Sequence, residues 1–246
     1  MVFHLHSTSL DKQYLAVRPY NATPINADFS QLIVNKPWGN EYLMYSNQFV
    51  EVWNLFIGYN KATSMHCHPN KKTTLAVLDG KAIFSSLNES MELSPTDAVI
   101  IEPGVFHSTQ SMSKGGIKVL EFETPPMKHD LIRLEDKYGR ADSGYEGLEK
   151  MMIESSHIRF AVNDIGNTKD FCNSRICVKH INNNNDLITL GDEKNDLMIV
   201  TAGAVISKHG DALCGPADIL RTEELNDGAG IVCRDLQILT IKTMNR

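Results

Sequence analysis

The chain has 246 residues, 42% hydrophobic and 22% charged, with a net charge of −6. That length supports one large or two ordinary domains with a substantial core, while the acidic balance leaves no basic footprint for nucleic acid and no apolar run reaches the length of a membrane span. The start MVFHLHSTSLDKQ has no basic region ahead of an apolar run, and the five cysteines, at 67, 172, 177, 214 and 233, form no C-x-x-C pair, so the expectation is a cytoplasmic protein with free thiols.

Residues 1 to about 35 give only a weak strand-and-loop reading. Phe3-His4-Leu5-His6 is an alternating pair at a terminus expected to fray, and is read as idle. Asn35-Lys36-Pro37-Trp38-Gly39-Asn40-Glu41-Tyr42 is a turn carrying a tryptophan, expected to pack as a lid. A run of short apolar strands follows, at Glu51–Ile57, Thr74–Leu78, Lys81–Phe84 and Asp97–Ile101, punctuated by glycine turns. Within it sits Met65-His66-Cys67-His68. Alternate residues of a strand share a side, so His66 and His68 project together and Cys67 points away. With His107, delivered after Pro103-Gly104-Val105-Phe106, they make three imidazoles suited to one divalent ion, whether Zn, Fe, Mn or Ni.

Glu121 and Glu123 share one face of the strand Leu120–Thr124, with Leu120 and Phe122 on the other, so the two acids are expected to line a cavity as candidate bases. Glu102 is a third candidate, as base, replacement ligand or substrate contact. Lys71, Lys72, Arg133 and Arg140 are the available phosphate partners. Leu131 and Leu134 stand three apart, which predicts a short amphipathic helix exposing Arg133, Asp136 and Arg140.

Beyond residue 150 an internal repeat emerges. Leu55 to Gly80 matches Val178 to Gly203 in length, Ser94-Pro95-Thr96-Asp97 is echoed by Gly215-Pro216-Ala217-Asp218, and Leu236–Lys242 parallels Ile117–Phe122. In that register Thr189 and Gly191 take the places of His66 and His68, and the His107 equivalent falls near Gly228, so no metal is expected there. His180 and His209 are read as surface residues.

The histidine strand and its flanks resemble the cupin superfamily, with motifs G(X)5HXH(X)3-4E(X)6G and G(X)5PXG(X)2H(X)3N. His66, His68 and Gly80 fit the first, and Gly104 and His107 the second. Thr73 stands in the glutamate slot, Glu102 in the first proline slot and Ser111 in the asparagine slot. The resemblance implies an all-β fold, a double-stranded β-helix or cupin jelly roll. With the repeat it becomes a bicupin: a metal-binding barrel over 1–148 and a degenerate second barrel over 149–246. The segment K-P-W-G-x-E followed by M-H-x-H, together with Asp130, Arg133, Asp136, Tyr138, Gly139 and Arg140, is similar to the C-terminal domain of bifunctional mannose-6-phosphate isomerase/mannose-1-phosphate guanylyltransferases, over residues 35–148.

That second resemblance implies a metal-dependent sugar-phosphate isomerase or epimerase serving surface-polysaccharide biosynthesis. Its metal ligands would be His66, His68 and His107, its catalytic residues Glu121, Glu123 and Arg133, and its substrate contacts Lys72, Glu102 and Arg140. A phosphorylated sugar is the expected partner, with neither nucleic acid nor membrane, and a homodimer is the default for the fold. The empty glutamate slot keeps two alternatives open: a three-histidine non-haem iron dioxygenase and a non-catalytic sugar-binding cupin.

Overall fold

The computed structural model describes residues 1–18, 20, 27–141, 143–154, 156–193, 195–220 and 232–244. They form two compact units, Met1–Met44 with Glu51–His157, and Tyr45–Val50 with Ile158–Arg246. No helix among the described residues is long and apolar enough to cross a membrane.

The first unit contains the strands β1 (Val2–Leu5), β2 (Leu32–Lys36), β3 (Gly39–Ser46), β4 (Glu51–Ile57), β5 (Met65–Cys67), β6 (Lys72–Asp79), β7 (Ala82–Ser86), β8 (Ser90–Leu93), β9 (Ala98–Ile101), β10 (His107–Ser111), β11 (Ile117–Thr124), β12 (Ile132–Glu135) and β13 (Met151–Ile153). Eight form one sheet in the order β1-β9-β6-β11-β4-β3-β2-β13, and five the other, β12-β5-β10-β7-β8. Period-two alternation explains how they close. Trp53, Leu55 and Ile57 of β4, Leu75 and Val77 of β6, Val99 and Ile101 of β9, and Ile117 and Val119 of β11 meet Ala82, Phe84 and Leu93 of the smaller sheet in one buried core. Each such side chain contributes about 1.5–3 kcal/mol on leaving water. The crossed order of strands in two packed sheets is a jelly roll, the double-stranded β-helix.

Close approaches explain particular residues. Gly39 lies against β4, where a Cβ would fall 1.9 Å from the Phe56 carbonyl oxygen, so no larger residue fits. Helix α1 (Ser9–Ala16) begins with a capping box, in which the Thr8 hydroxyl accepts from the Asp11 N–H and the Asp11 carboxylate accepts from the Thr8 N–H at 2.8 Å. The T-x-x-D signal was present in a segment read only as strand and loop. The expected fraying of the N-terminal pair is also corrected: β1 is paired in parallel with β9 over Val2 to Leu5.

The second unit holds β14 (Thr168–Phe171), β15 (Ser174–Ile181), helix α2 (Asn184–Asp192), β16 (Leu197–Ile206), β17 (Ala212–Cys214) and β18 (Val232–Thr243), in one sheet ordered β14-β15-β18-β16-β17. The repeat is visible in its main-chain bonding. Strands β15-β18-β16, with Ile219 bridging Ile199, follow the order β4-β11-β6-β9. The turns also agree. Thr96 and Ala217 both have positive φ, 74° and 65°. Thr96 N–H donates to the Val77 carbonyl at 2.9 Å, and Ala217 N–H to that of Val200 at 2.8 Å. Asp97 and Asp218 each accept from the backbone N–H three residues earlier, at 2.8 Å.

The likeness stops at one sheet. Among the described residues the second unit contributes a single sheet, and that unit takes in Tyr45–Val50 as well as the chain from Ile158. Thr189 and Gly191, aligned by the repeat with strand histidines, sit on α2, and Gly228 lies outside the described residues. His180 and His209 are exposed.

Candidate metal centre and cavity

Strand β5 lies between β10 and β12, with His66 opposite His107 on one side and Arg133 on the other. His68 follows the strand end, where its carbonyl accepts the Gly104 N–H at 2.8 Å. This bond ties the first histidine segment to the turn that delivers His107, and Gly104 takes φ +82° there, a conformation glycine adopts freely. Asp11 of α1 accepts the Phe106 N–H at 2.9 Å, and the Phe84 ring stacks on that of His107 at 5.9 Å. The three imidazole centroids are 4.4–5.5 Å apart.

Each of these rings gives its Nδ1 to a carbonyl oxygen: His66 to Ser64 at 2.7 Å, His68 to Asp130 at 2.5 Å, and His107 to Val105 at 3.0 Å. A carbonyl only accepts, so each Nδ1 carries the hydrogen and each Nε2 keeps its lone pair. Burial, the largest cause in all three, holds their pKa values down, that of His107 at about 4, and neighbouring positive charges add to it. The rings are therefore neutral near pH 7. Their ligand atoms lie within 4.8 Å of one another, and the Nε2 atoms of His68 and His107 are buried without a partner. Orphaned, converging, neutral nitrogens are costly in a core and are what a divalent ion requires; the residues fit the ion.

The cavity beside them, of about 60 Å³, has room for roughly four or five waters. His66 and His68 line it together with Glu121, Glu123, Arg133 and Arg140. Lys72 and Glu102, both expected at the substrate, do not. Parity explains both corrections. Immediately ahead of β6, Lys71 has the same parity as the inward Leu75, and it is Lys71 that lines the cavity. On β9, Ile101 faces the core, so Glu102 turns outward, where it meets His4 at 2.7 Å. Thr73 is fully buried with its hydroxyl unpartnered, as is Ser111, and neither lines the cavity.

The tail corrects a further expectation. Residues Ile132–Glu135 form strand β12, not a helix: Ile132 and Leu134 bury with Cys67 and Phe106 on one face, and Arg133 points to the other. Past it, Asp136 accepts from the Tyr138 and Arg140 N–H groups at 3.0 and 2.8 Å and pairs with the Arg140 guanidinium at 2.7 Å. This local turn brings Arg140, Tyr145 and Glu146 to the cavity wall.

Sequence reasoning missed the cavity's charge network. Lys128 sits 3.2 Å from Glu41, 3.2 Å from Glu123 and 3.7 Å from Glu121, with its ammonium 3.8 Å above the Trp53 ring. Lys71 contacts Glu123 at 2.8 Å, and Lys36 bonds Glu41 and Glu146. Burial and the neighbouring Glu123 push Glu121 up to about 7. Burial would raise Glu123 too, but Lys128 and Lys71 hold it below the usual carboxylate range. Trp38, expected as a lid, is buried and lines the cavity. Beyond Lys71, Glu121 and Glu123, already named as candidates, only Lys36 and Glu41 of this network carried a sequence signal, the K-P-W-G-x-E segment.

No protein-family model matches the chain, and no curated protein matches it. Solved structures similar to it include KdgF from a Halomonas species (14% identity over 37% of this chain and 82% of that one, TM-score 0.35). An uncharacterized protein with a double-stranded β-helix domain from Klebsiella pneumoniae gives 18% identity over 51% and 95%, TM-score 0.36. A cupin-superfamily sugar phosphate isomerase from Silicibacter pomeroyi gives 13% over 35% and 58%, TM-score 0.33. What decides the fold is the two-sheet strand order. The first unit is a double-stranded β-helix.

Proposed function

We propose that the cavity is the active site of a metal-dependent isomerase acting on a small, anionic, hydroxylated substrate, with a phosphorylated sugar as the favoured class. The observation that carries this reading is the Glu121–Glu123 pair lining the same cavity as His66 and His68, with His107 beside them. Their unequal environments leave one carboxyl near neutrality and the other ionised, which is how acid and base roles are divided between two like groups.

His66, His68 and His107 would hold the ion, which when bound supplies a Lewis acid able to polarise a carbonyl. Glu121, as carboxylate, takes the proton from the carbon beside that carbonyl. The C–H pair becomes the new carbon–carbon π bond, and the former carbonyl oxygen takes up the negative charge. The hydroxyl on the deprotonated carbon passes its proton, by way of Glu123, to that oxygen. The Glu121 carboxylic acid returns its own proton to the former carbonyl carbon, so the carbonyl now stands on the neighbouring carbon and aldose–ketose exchange is complete. Lys128 keeps Glu123 ionised, free to accept a substrate hydroxyl through Oε2, which has no partner in the cavity wall. Arg133, whose Nε is likewise unpartnered, offers a donor to an anionic oxygen.

Charge also supports the reading. Five cationic side chains (Lys36, Lys71, Lys128, Arg133, Arg140) face four carboxylates (Glu41, Glu121, Glu123, Glu146), and a divalent ion adds two further positive charges. The small volume admits the reacting end of a substrate and leaves the remainder at the mouth. The test is solvent exchange: metal-loaded protein incubated with hexose and heptose phosphates in deuterium oxide and followed by NMR. Deuterium at the carbon beside the carbonyl supports the proposal, and no exchange or isomer across the panel defeats it.

One observation favours a second reading. Thr73 in the glutamate slot leaves a ligand set of histidines alone, which also suits iron with positions open to dioxygen. Substrate-dependent oxygen uptake by the iron-loaded protein would select it.

A further inference from the structure

The pair His4 and His6 has no part in the cavity. Alternation on β1 sends Phe3 and Leu5 toward the barrel core and leaves both imidazoles exposed, their ring centroids 4.4 Å apart. A third group reaches them from the neighbouring parallel strand. The Glu102 N–H donates to the Leu5 carbonyl at 3.0 Å, which fixes Glu102 beside them, and its carboxylate meets His4 Nε2 at 2.7 Å. The ligand atoms of the three side chains lie within 4.8 Å of one another.

We propose that His4, His6 and Glu102 form a second metal site, on the surface, for a first-row divalent cation of the zinc class. Two imidazoles and one carboxylate are a borderline-hard donor set that suits such ions, with water completing the coordination. Two strands hold the backbone, and exposed side chains close the remaining ångström by rotation. Binding replaces the His4–Glu102 hydrogen bond with bonds to the cation. The ion would clip β1 to the end of β9, from which the chain runs on to His107.

The test counts zinc per chain after equilibrium dialysis at neutral pH. Wild type should bind two, the His4→Ala/His6→Ala double variant one, and a His66→Ala/His107→Ala variant one. Glu102→Gln should weaken the surface site by at least tenfold. A His4→Ala/His6→Ala protein that binds as much zinc as wild type overturns the proposal. Should the buried-site variant fail to fold, the comparison of wild type with the surface variant decides alone, since these side chains are exposed. One zinc in wild type and none in the surface variant would support this site while removing the metal from the cavity reading.

Discussion

Replacing Lys128 with methionine tests the charge network most directly. At an effective dielectric of about 20, a contact at 3.2 Å is worth roughly 5 kcal/mol before desolvation. Removing one partner of a buried pair typically costs about 3–5 kcal/mol, because the other charge remains. Here the remainder is Glu41, Glu121 and Glu123, all buried. Without the ammonium their folded pKa values rise above those of the unfolded chain, so the folded state binds more protons over that window. Stability is then lost as pH rises from about 4.5 through the raised values. Lys128→Met should therefore cost about 3–5 kcal/mol at pH 8 and measurably less at pH 5, where part of the carboxyl set is protonated in the variant's folded state. Urea denaturation at the two pH values measures the difference. An equal cost at both would refute the claim that the lysine acts by charge rather than by packing on Trp53.

Glu121→Gln should abolish solvent exchange without unfolding the protein, and the wild-type rate should rise with pH through a midpoint of about 7, since the base form carries the reaction. A pH-independent rate would contradict that role. Asp130 offers its carbonyl to His68 and its carboxylate to the N–H groups of Asn70 and Lys71 at 2.8 and 3.0 Å. Asp130→Asn should weaken metal binding at the cavity about 10–100-fold, as seen by competition with a chelating dye in a His4→Ala/His6→Ala background. Phe84→Ala, removing a fully buried ring that stacks on His107, should cost about 3–5 kcal/mol in chemical denaturation.

Much of the barrel was legible because its signals are local. Alternation put His66 and His68 on one side, and the same rule put Glu121 and Glu123 opposite Leu120 and Phe122. Applied to β9, it would also have turned Glu102 outward. The tail misled because Leu131 and Leu134 suit a helix while Ile132 and Leu134 suit a strand, and pairing with β5 decided between them. Lys128 and Glu146 left no trace, since lysine and glutamate are ordinarily solvated and only convergence in space buries them. The repeat was readable in length and turn residues, but no sequence interval shows whether a second sheet closes over the first.

The three Nδ1–H bonds to main-chain carbonyls have an evolutionary consequence. Because the ligands take their orientation from the backbone, the acids and cations of the cavity can change without disturbing the centre. Glu121 or Lys128 can be exchanged while the main-chain bonds keep the imidazoles in place. The scaffold is in this sense modular at the level of single side chains: one part of the wall holds, and the other is free to be rewritten.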